Sequence, residues 1–310
     1  MKVLFISSGN SILGISSLVK RQGESLQSNG VEVEYFTISG KGMFGYLSNY
    51  KKLKKKIKLF NPDILHAHYS LSGFLATLTL RKPIVVSLMG SDINLSAFVK
   101  FVTKFLCKYV WSKTIVKSYD MSNKLLVPNV IIIPNGVDIN LFKPLIRDWC
   151  CEQLSWIPTK KHFLFAANPD RAEKNFVLVK NSLDLLNDVD YELHSLSNVS
   201  HSDVPIMMNA ADVIILTSLW EGSPNVIKEG MACNRPIVST DVGDVRWVFG
   251  DVKGCFISGF NPTELKEKLL EALEFSSLIG STNGRERLIE LGLDSKSVAQ
   301  RIVGVYNQII

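Results

Sequence analysis

The chain has no apolar run near the ~18 residues that a membrane-crossing helix requires. Its opening stretch, MKVLFISSGN, is too short in apolar length for a signal peptide and reads as a first strand. Cysteine is scarce. The five residues Cys107, Cys150, Cys151, Cys233 and Cys255 show no metal-type spacing. Their odd number, with an adjacent pair that bridges only under strain, points to reduced cytosolic thiols rather than a disulfide framework. There is no GxGxxG fingerprint, which removes the usual sign of a dinucleotide site. Internal repeats and low-complexity linkers are absent as well, so solenoid and tethered-module architectures are excluded.

What is present describes a core-forming globular chain of 310 residues, 46% hydrophobic and 21% charged. That length exceeds a typical single domain and predicts two. Charge separates along it. Residues 1–144 carry 19 lysines and arginines against 7 acidic residues, and residues 145–310 carry 16 against 22. A basic first half and an acidic second half predict different partners for the two. The basic half suits nucleic acid, anionic lipid or a phosphorylated substrate.

Short apolar strands alternate with helical stretches throughout, which predicts βαβ units and parallel sheets in two Rossmann-like domains. In the first half, residues 2–8 form a strand, followed by a small-residue loop in which Gly14 allows close backbone approach to a phosphate. Residues 46–60 place Tyr46, Leu47, Tyr50, Leu53, Ile57 and Phe60 at helical spacing, with six lysines mostly on the other side. Either a solvated face or an interfacial helix on anionic lipid fits this pattern. His66 and His68 are two apart on a strand, so they share a face, as core or acceptor-contact residues. Asp92 follows a strand end and either holds a substrate hydroxyl or caps the next helix. A second basic helix, 94–111, carries Phe98, Phe101, Phe105, Tyr109 and Trp111 beside Lys100, Lys104 and Lys108. Core packing accounts for its aromatics, and membrane docking for the lysines that accompany them.

The densest cluster of signals is EGSPNVIKEGMACNRPIVSTDVGD, residues 221–244. It lies between a strand at 212–218 and another at 235–240, with a helix over 225–233 and Ser223 and Pro224 as its start signals. Glu221 thus sits on a loop at the C-terminal edge of a strand, where open α/β sheets bind ligands. Glu229 follows on the helix. Loop N–H groups and a helix N-terminus between two carboxylates form a cradle for a phosphate and sugar hydroxyls. Taken alone, Glu229 reads as an ordinary surface helix residue.

Glu221, Glu229 and the trailing Ser239-Thr240-Asp241-Val242-Gly243 resemble the donor-site signature of the retaining glycosyltransferases of family 4. Pro134-Asn135-Gly136-Val137-Asp138, followed by Phe142, resembles that family's crossover between domains. The resemblance implies a glycosyltransferase-B fold over essentially the whole chain, with two Rossmann-like domains facing across a cleft. Residues 1–144 would form the acceptor domain, with helix 295–310 packing back on it, and 145–294 the nucleotide-sugar donor domain. The implied reaction moves a sugar from a UDP- or GDP-type donor to a saccharide or lipid-linked acceptor, with retention of anomeric configuration. Cell-surface polysaccharide synthesis in the cytoplasm, on the inner face of a membrane, is the setting expected.

By carry-over, Glu221 holds donor sugar hydroxyls and Glu229 the ribose. Gly222, Ser223, Pro224, Asn225, Val226 and Gly14 line the donor site, and Lys174 with Arg171 stabilise the departing diphosphate. His68 and Asp92 are the acceptor-side candidates. The nucleotide sugar is a co-substrate; no metal, other cofactor or nucleic acid is expected, and peripheral contact with an anionic membrane is. This chain departs from the family pattern in three places. Met89 stands where a His is usual, Gly230 where Ala is usual, and the Arg–Lys pair is compressed to Arg171-x2-Lys174. Asp188-Val189-Asp190 imitates a metal-binding DxD but reads as a surface turn. A nucleotide-sugar 2-epimerase of the same fold, or a non-catalytic sugar- or nucleic-acid-binding protein, are the alternatives.

Overall fold

The structure is a computed structural model that describes residues 1–10, 14–90, 96–187 and 189–310. It divides into two compact units, Met1–Gly136 with Ser295–Ile310, and Val137–Asp294.

In the first unit the elements are β1 (Lys2–Ser8), α1 (Ser17–Gln27), β2 (Glu32–Ile38), α2 (Gly42–Leu47), α3 (Tyr50–Phe60), β3 (Ile64–His68) and α4 (Ser70–Leu78). After them come β4 (Ile84–Ser87), α5 (Ala97–Tyr109), β5 (Lys113–Val116), α6 (Tyr119–Leu125) and β6 (Val130–Ile132). All six strands are parallel, in the order β2-β1-β3-β4-β5-β6. Helices cover both faces, so the inner strands are apolar without alternation; Val3–Ile6 and Ile84–Val86 are buried. The chain leaves β1 to one side for β2 and returns on the other for β3. That reversal places the topological switch point between β1 and β3.

The second unit starts with α7 (Arg147–Leu154) and β7 (Lys161–Phe165), then a 3₁₀ turn (Ala172–Lys174), α8 (Phe176–Leu183), β8 (Tyr191–Ser195), α9 (Val204–Ala210) and β9 (Val213–Leu216). It continues with α10 (Asn225–Ala232), β10 (Ile237–Thr240), α11 (Val245–Phe249), β11 (Cys255–Ser258), α12 (Pro262–Leu278) and α13 (Gly284–Glu290). Its five strands are parallel in the order β11-β10-β9-β7-β8, with the switch point between β7 and β9.

The last helix, α14 (Ser295–Asn307), belongs to the first unit and buries Val298, Ile302, Val305 and Tyr306 there. Tyr306 hydroxyl bonds His66 Nδ1, and His66 Nε2 meets Ser87 Oγ at 2.8 Å. His66 is therefore a core histidine that ties the returning helix to the sheet. The division falls at Gly136–Val137 rather than at 144, because Val137 bridges to Asp294 and Phe142 is buried in the second unit's core. A Cβ at Gly136 would lie 2.9 Å from Ser295 Cα, so glycine is what lets the outgoing and returning chains run side by side.

One packing expectation is corrected. The rings of Phe98, Phe101, Phe105 and Tyr109 on α5 point outward, each at least half exposed; Trp111, just past the helix, is the aromatic that is buried. The inward stripe of α5 is filled by Thr103, Leu106 and Cys107, leaving the larger rings on a different face. On α3 the expectation holds. Leu53 and Phe60 are buried, and most of the lysines are exposed.

Candidate functional site

At the switch point of the second unit, Lys174 arrives on the 3₁₀ turn after β7 and Glu221 on the loop after β9. Their side chains form an ion pair, Lys174 Nζ to Glu221 Oε1, with 12% and 17% exposure. Ser218 Oγ donates to the same oxygen at 2.8 Å. Backbone contacts lock the two segments together. Thr217 Oγ1 donates to the carbonyls of Lys174 and Asn175 at 2.9 and 3.1 Å, and Leu219 N to the carbonyl of Glu173 at 2.9 Å. Asn175 takes a left-handed conformation (φ 54°), which turns the chain sharply from this pair into α8. Both charges are thus held on segments beyond the ends of β7 and β9 that are hydrogen-bonded to each other, as a positioned site requires.

Arg171 is placed differently from Lys174. Its side chain is 57% exposed and its Nε donates to Glu173 Oε1 at 2.9 Å. A backbone N–H and Arg171 together hold the Glu173 carboxyl below its ordinary range.

Glu229 is buried on α10, not on its surface, so the solvated-residue reading fails. Gly222, Ser223 and Pro224 are buried, and Asn225 and Val226 open the helix half-buried. Ser223 does not start the helix, because its hydroxyl is committed inward: it accepts from Lys228 Nζ and donates to Asp244 Oδ2 at 2.6 Å. Lys228 and Asp244 lie 3.3 Å apart with 1% and 4% side-chain exposure. This buried Lys228–Ser223–Asp244 bridge was not anticipated from sequence, although Asp244 directly follows the Asp-Val-Gly that drew attention. It clamps the 221–224 loop to the turn after β10. Gly243 (φ 62°) makes the clamp possible, since a Cβ there would meet Gly222 O at 2.8 Å. Gly230 has a comparable reason. A Cβ would come within 2.8 Å of Ile214 Cδ1, so the glycine lets α10 lie close on β9 and β10.

The first unit has its own concavity at its own switch point, a cavity of about 440 Å³. Ser7 and Ser8 from the end of β1, His68 and Tyr69 from the end of β3, and Asn10, Tyr46 and Met89 contribute to its wall. His68 is 2% exposed and neither ring nitrogen has a hydrogen-bond partner among the described residues. Burial, reinforced by the charge of Lys117, depresses its pKa to about 3, so it faces the cavity as a neutral imidazole. A buried polar ring without a partner is costly unless a ligand or water completes it. Beside it Tyr69 is held at φ 85°, ψ 145°, a strained backbone for a side-chain-bearing residue, of the kind that collects at binding sites.

Gly14 adopts φ 80° with open space where a Cβ would stand, which fits a loop passing close to a ligand. Asp92 and Asp188 lie outside the described residues. Asp190 is exposed. All five cysteines are free.

Two parallel sheets with ligand-type loops at both switch points define a glycosyltransferase-B architecture. Comparison with known proteins agrees. The family described as glycosyl transferases group 1 matches residues 150–274, and that described as glycosyl transferase 4-like matches residues 4–117. The chain belongs to the group 1 glycosyltransferases and is an enzyme of that class. It is 24% identical over 314 residues to an Escherichia coli UDP-Gal:alpha-D-GlcNAc-diphosphoundecaprenol alpha-1,3-galactosyltransferase, covering 86% of this chain and 76% of that one. It is 26% identical over 337 residues to a Campylobacter jejuni N,N'-diacetylbacillosaminyl-diphospho-undecaprenol alpha-1,3-N-acetylgalactosaminyltransferase, covering 93% and 88%. Among solved structures, the Anabaena HepE protein in complex with UDP and glucose superposes with a TM-score of 0.76 at 17% identity, each chain fully covered.

Proposed function

We propose that this protein transfers a sugar, with retention of anomeric configuration, from a UDP- or GDP-type donor to a lipid-linked saccharide in cell-surface polysaccharide synthesis. The observation that carries the proposal is the Lys174–Glu221 pair at the β7/β9 switch point, with the N-terminus of α10 and the buried Glu229 next to it in sequence. The ammonium of Lys174 is placed to meet charge building on a departing diphosphate, aided by N–H groups at the start of α10. Both bonds to Glu221 fall on Oε1, which leaves Oε2 for a hydroxyl of the donor sugar. Glu229 would take the ribose hydroxyls. The leaving phosphate would accept the acceptor's proton, so no separate base is required. Arg171, exposed and paired to Glu173, would contribute less than Lys174.

A lipid-linked acceptor is supported by the two relatives whose names carry a diphosphoundecaprenol substrate. It is also supported by α5. That helix holds no acidic residue and presents Phe98, Phe101, Phe105 and Tyr109 to solvent with Lys100, Lys104 and Lys108 among them. Exposed rings with lysines suit the interface of an anionic bilayer, and no helix among the described residues is long and apolar enough to cross one. The protein would then work on the cytoplasmic face as a peripheral enzyme, with His68 and its cavity on the acceptor side. Incubation with each nucleotide sugar and a diphosphoundecaprenol-linked sugar, followed by NMR of the new glycosidic bond, tests the reading. An α-linkage from an α-donor supports it, whereas an inverted linkage or donor epimerisation without transfer contradicts it.

A further inference from the structure

His162 on β7 and Glu192 and His194 on β8 converge on the face of the second sheet that carries Trp156. The parallel register pairs His162 with Glu192, and His194 lies two residues further on, so all three side chains leave the sheet on one side. His162 Nδ1 is 3.1 Å from His194 Nε2, and Glu192 Oε2 is 3.9 and 3.7 Å from those two nitrogens. A point equidistant from the three atoms lies about 2.1 Å from each, the bond length of a transition metal to imidazole nitrogen and carboxylate oxygen.

Each ligand residue is also held by a contact outside the triangle. His162 Nε2 is 2.9 Å from the Ile157 carbonyl, to which it donates, so the lone pair of Nδ1 is directed at the triangle. The His194 ring stacks on Trp156 with centroids 3.5 Å apart and planes within 8°. Lys160 pairs with Glu192 Oε1 at 3.3 Å and leaves Oε2 for the centre. His162 is fully buried, whereas the side chains of His194 and Glu192 are 18% and 31% exposed, so an ion and a water ligand have a path in.

We propose that His162, Glu192 and His194 form a transition-metal site of the zinc type, with water as the fourth ligand, which fastens the edge strand β8 to β7. Two imidazoles and one carboxylate suit Zn²⁺, Ni²⁺ or Cu²⁺ better than Mg²⁺ or Ca²⁺. The site is separate from the transfer chemistry. His162 is the second residue of β7, whereas Lys174 lies beyond that strand's other end. The alternative arrangement of the same atoms is a plain hydrogen bond in which His194 Nε2 donates to His162 Nδ1. Binding of an ion requires that proton to sit on His194 Nδ1 instead.

The test uses the full chain after chelator treatment, with Zn²⁺ added for calorimetry and thermal unfolding and Co²⁺ added as a visible-absorption probe. The expected result is one equivalent of Zn²⁺, a higher apparent melting temperature with Zn²⁺ present, and a tetrahedral Co²⁺ spectrum. His194→Ala should abolish all three, and Glu192→Gln should weaken binding by more than about 100-fold, beyond the roughly ten- to hundredfold that loss of an outer hydrogen bond to a ligand costs. Both positions are partly exposed, and unfolding in chelator shows whether each variant keeps the wild-type fold. Nitrogen-15 NMR of the loaded protein should find the His194 proton on Nδ1. Absence of saturable binding, or binding undiminished in His194→Ala, overturns the proposal.

Discussion

Lys174 and Glu221 stand 47 residues apart and close an ion pair across the β7/β9 switch point, with Ser218 Oγ on the same carboxylate oxygen. On the proposed reading, the pair would supply a cation for a diphosphate and a carboxylate for a sugar in one contact. Lys174→Ala should lower kcat by about 10²–10³ while nucleotide affinity falls less, because its contact strengthens as leaving-group charge develops. Glu221→Gln should lower kcat/KM for the sugar nucleotide and leave binding of the bare nucleoside diphosphate near wild type. Steady-state kinetics alongside nucleotide titrations separate the two effects.

The Lys228–Ser223–Asp244 bridge predicts a stability effect beneath that site. Asp244→Ala leaves the Lys228 ammonium buried without its counter-charge and should cost about 3–5 kcal/mol in denaturant unfolding. Pairing it with Lys228→Met removes the stranded charge and should recover more than half of that loss. A double mutant as unstable as the sum of the single ones would mean that the two residues are not coupled.

The histidines of the first unit predict a dependence on pH. Burial holds His66 well below the ordinary value of 6.5 and His68 at about 3. Below pH 6.5 the unfolded chain therefore binds protons that the folded protein refuses. Their contribution to stability is complete above that pH and is lost as pH falls below it, for His68 down to about 3. His68→Asn should flatten the slope of unfolding free energy between roughly pH 5 and 6.5 by up to about 1.4 kcal/mol per pH unit. An unchanged slope would place the proton uptake elsewhere.

On α5, replacement of Lys100, Lys104 and Lys108 by Glu should abolish flotation with anionic vesicles at low salt, and replacement of Phe98, Phe101 and Phe105 by Ser should weaken it. Equal recovery of wild type with neutral and anionic vesicles would contradict the lipid-facing reading. About 1 kcal/mol per lysine near an anionic surface makes a three-lysine effect readily measurable.

Much of this organisation is legible in the sequence. The βαβ alternation, the strand-end position of Glu221 and the helix carrying Glu229 follow from apolar runs and local spacing. The remainder depends on which segments lie side by side. Nothing local says that Lys174 rather than Arg171 meets Glu221, because that follows from the pairing of β7 with β9. Ser223 has the chemistry of a helix cap, yet a buried lysine one turn on and an aspartate 21 residues away claim its hydroxyl. The aromatics of α5 have the composition of a core stripe, but a second stripe of smaller residues fills the inward face. His162 and His194 stand 32 residues apart, and the register of β7 on β8 brings them together.

On the proposed function, a nucleoside diphosphate sugar binds the second unit at the start of α10. Thermal unfolding with UDP, GDP and ADP, on the wild type and on Glu229→Gln, tests it most directly. A ligand that binds the folded state alone must raise its apparent stability. The expected result is a rise with UDP or GDP that disappears or shrinks sharply in Glu229→Gln. No rise with any nucleotide, or an equal rise in the variant, would contradict the placement of the donor at this helix.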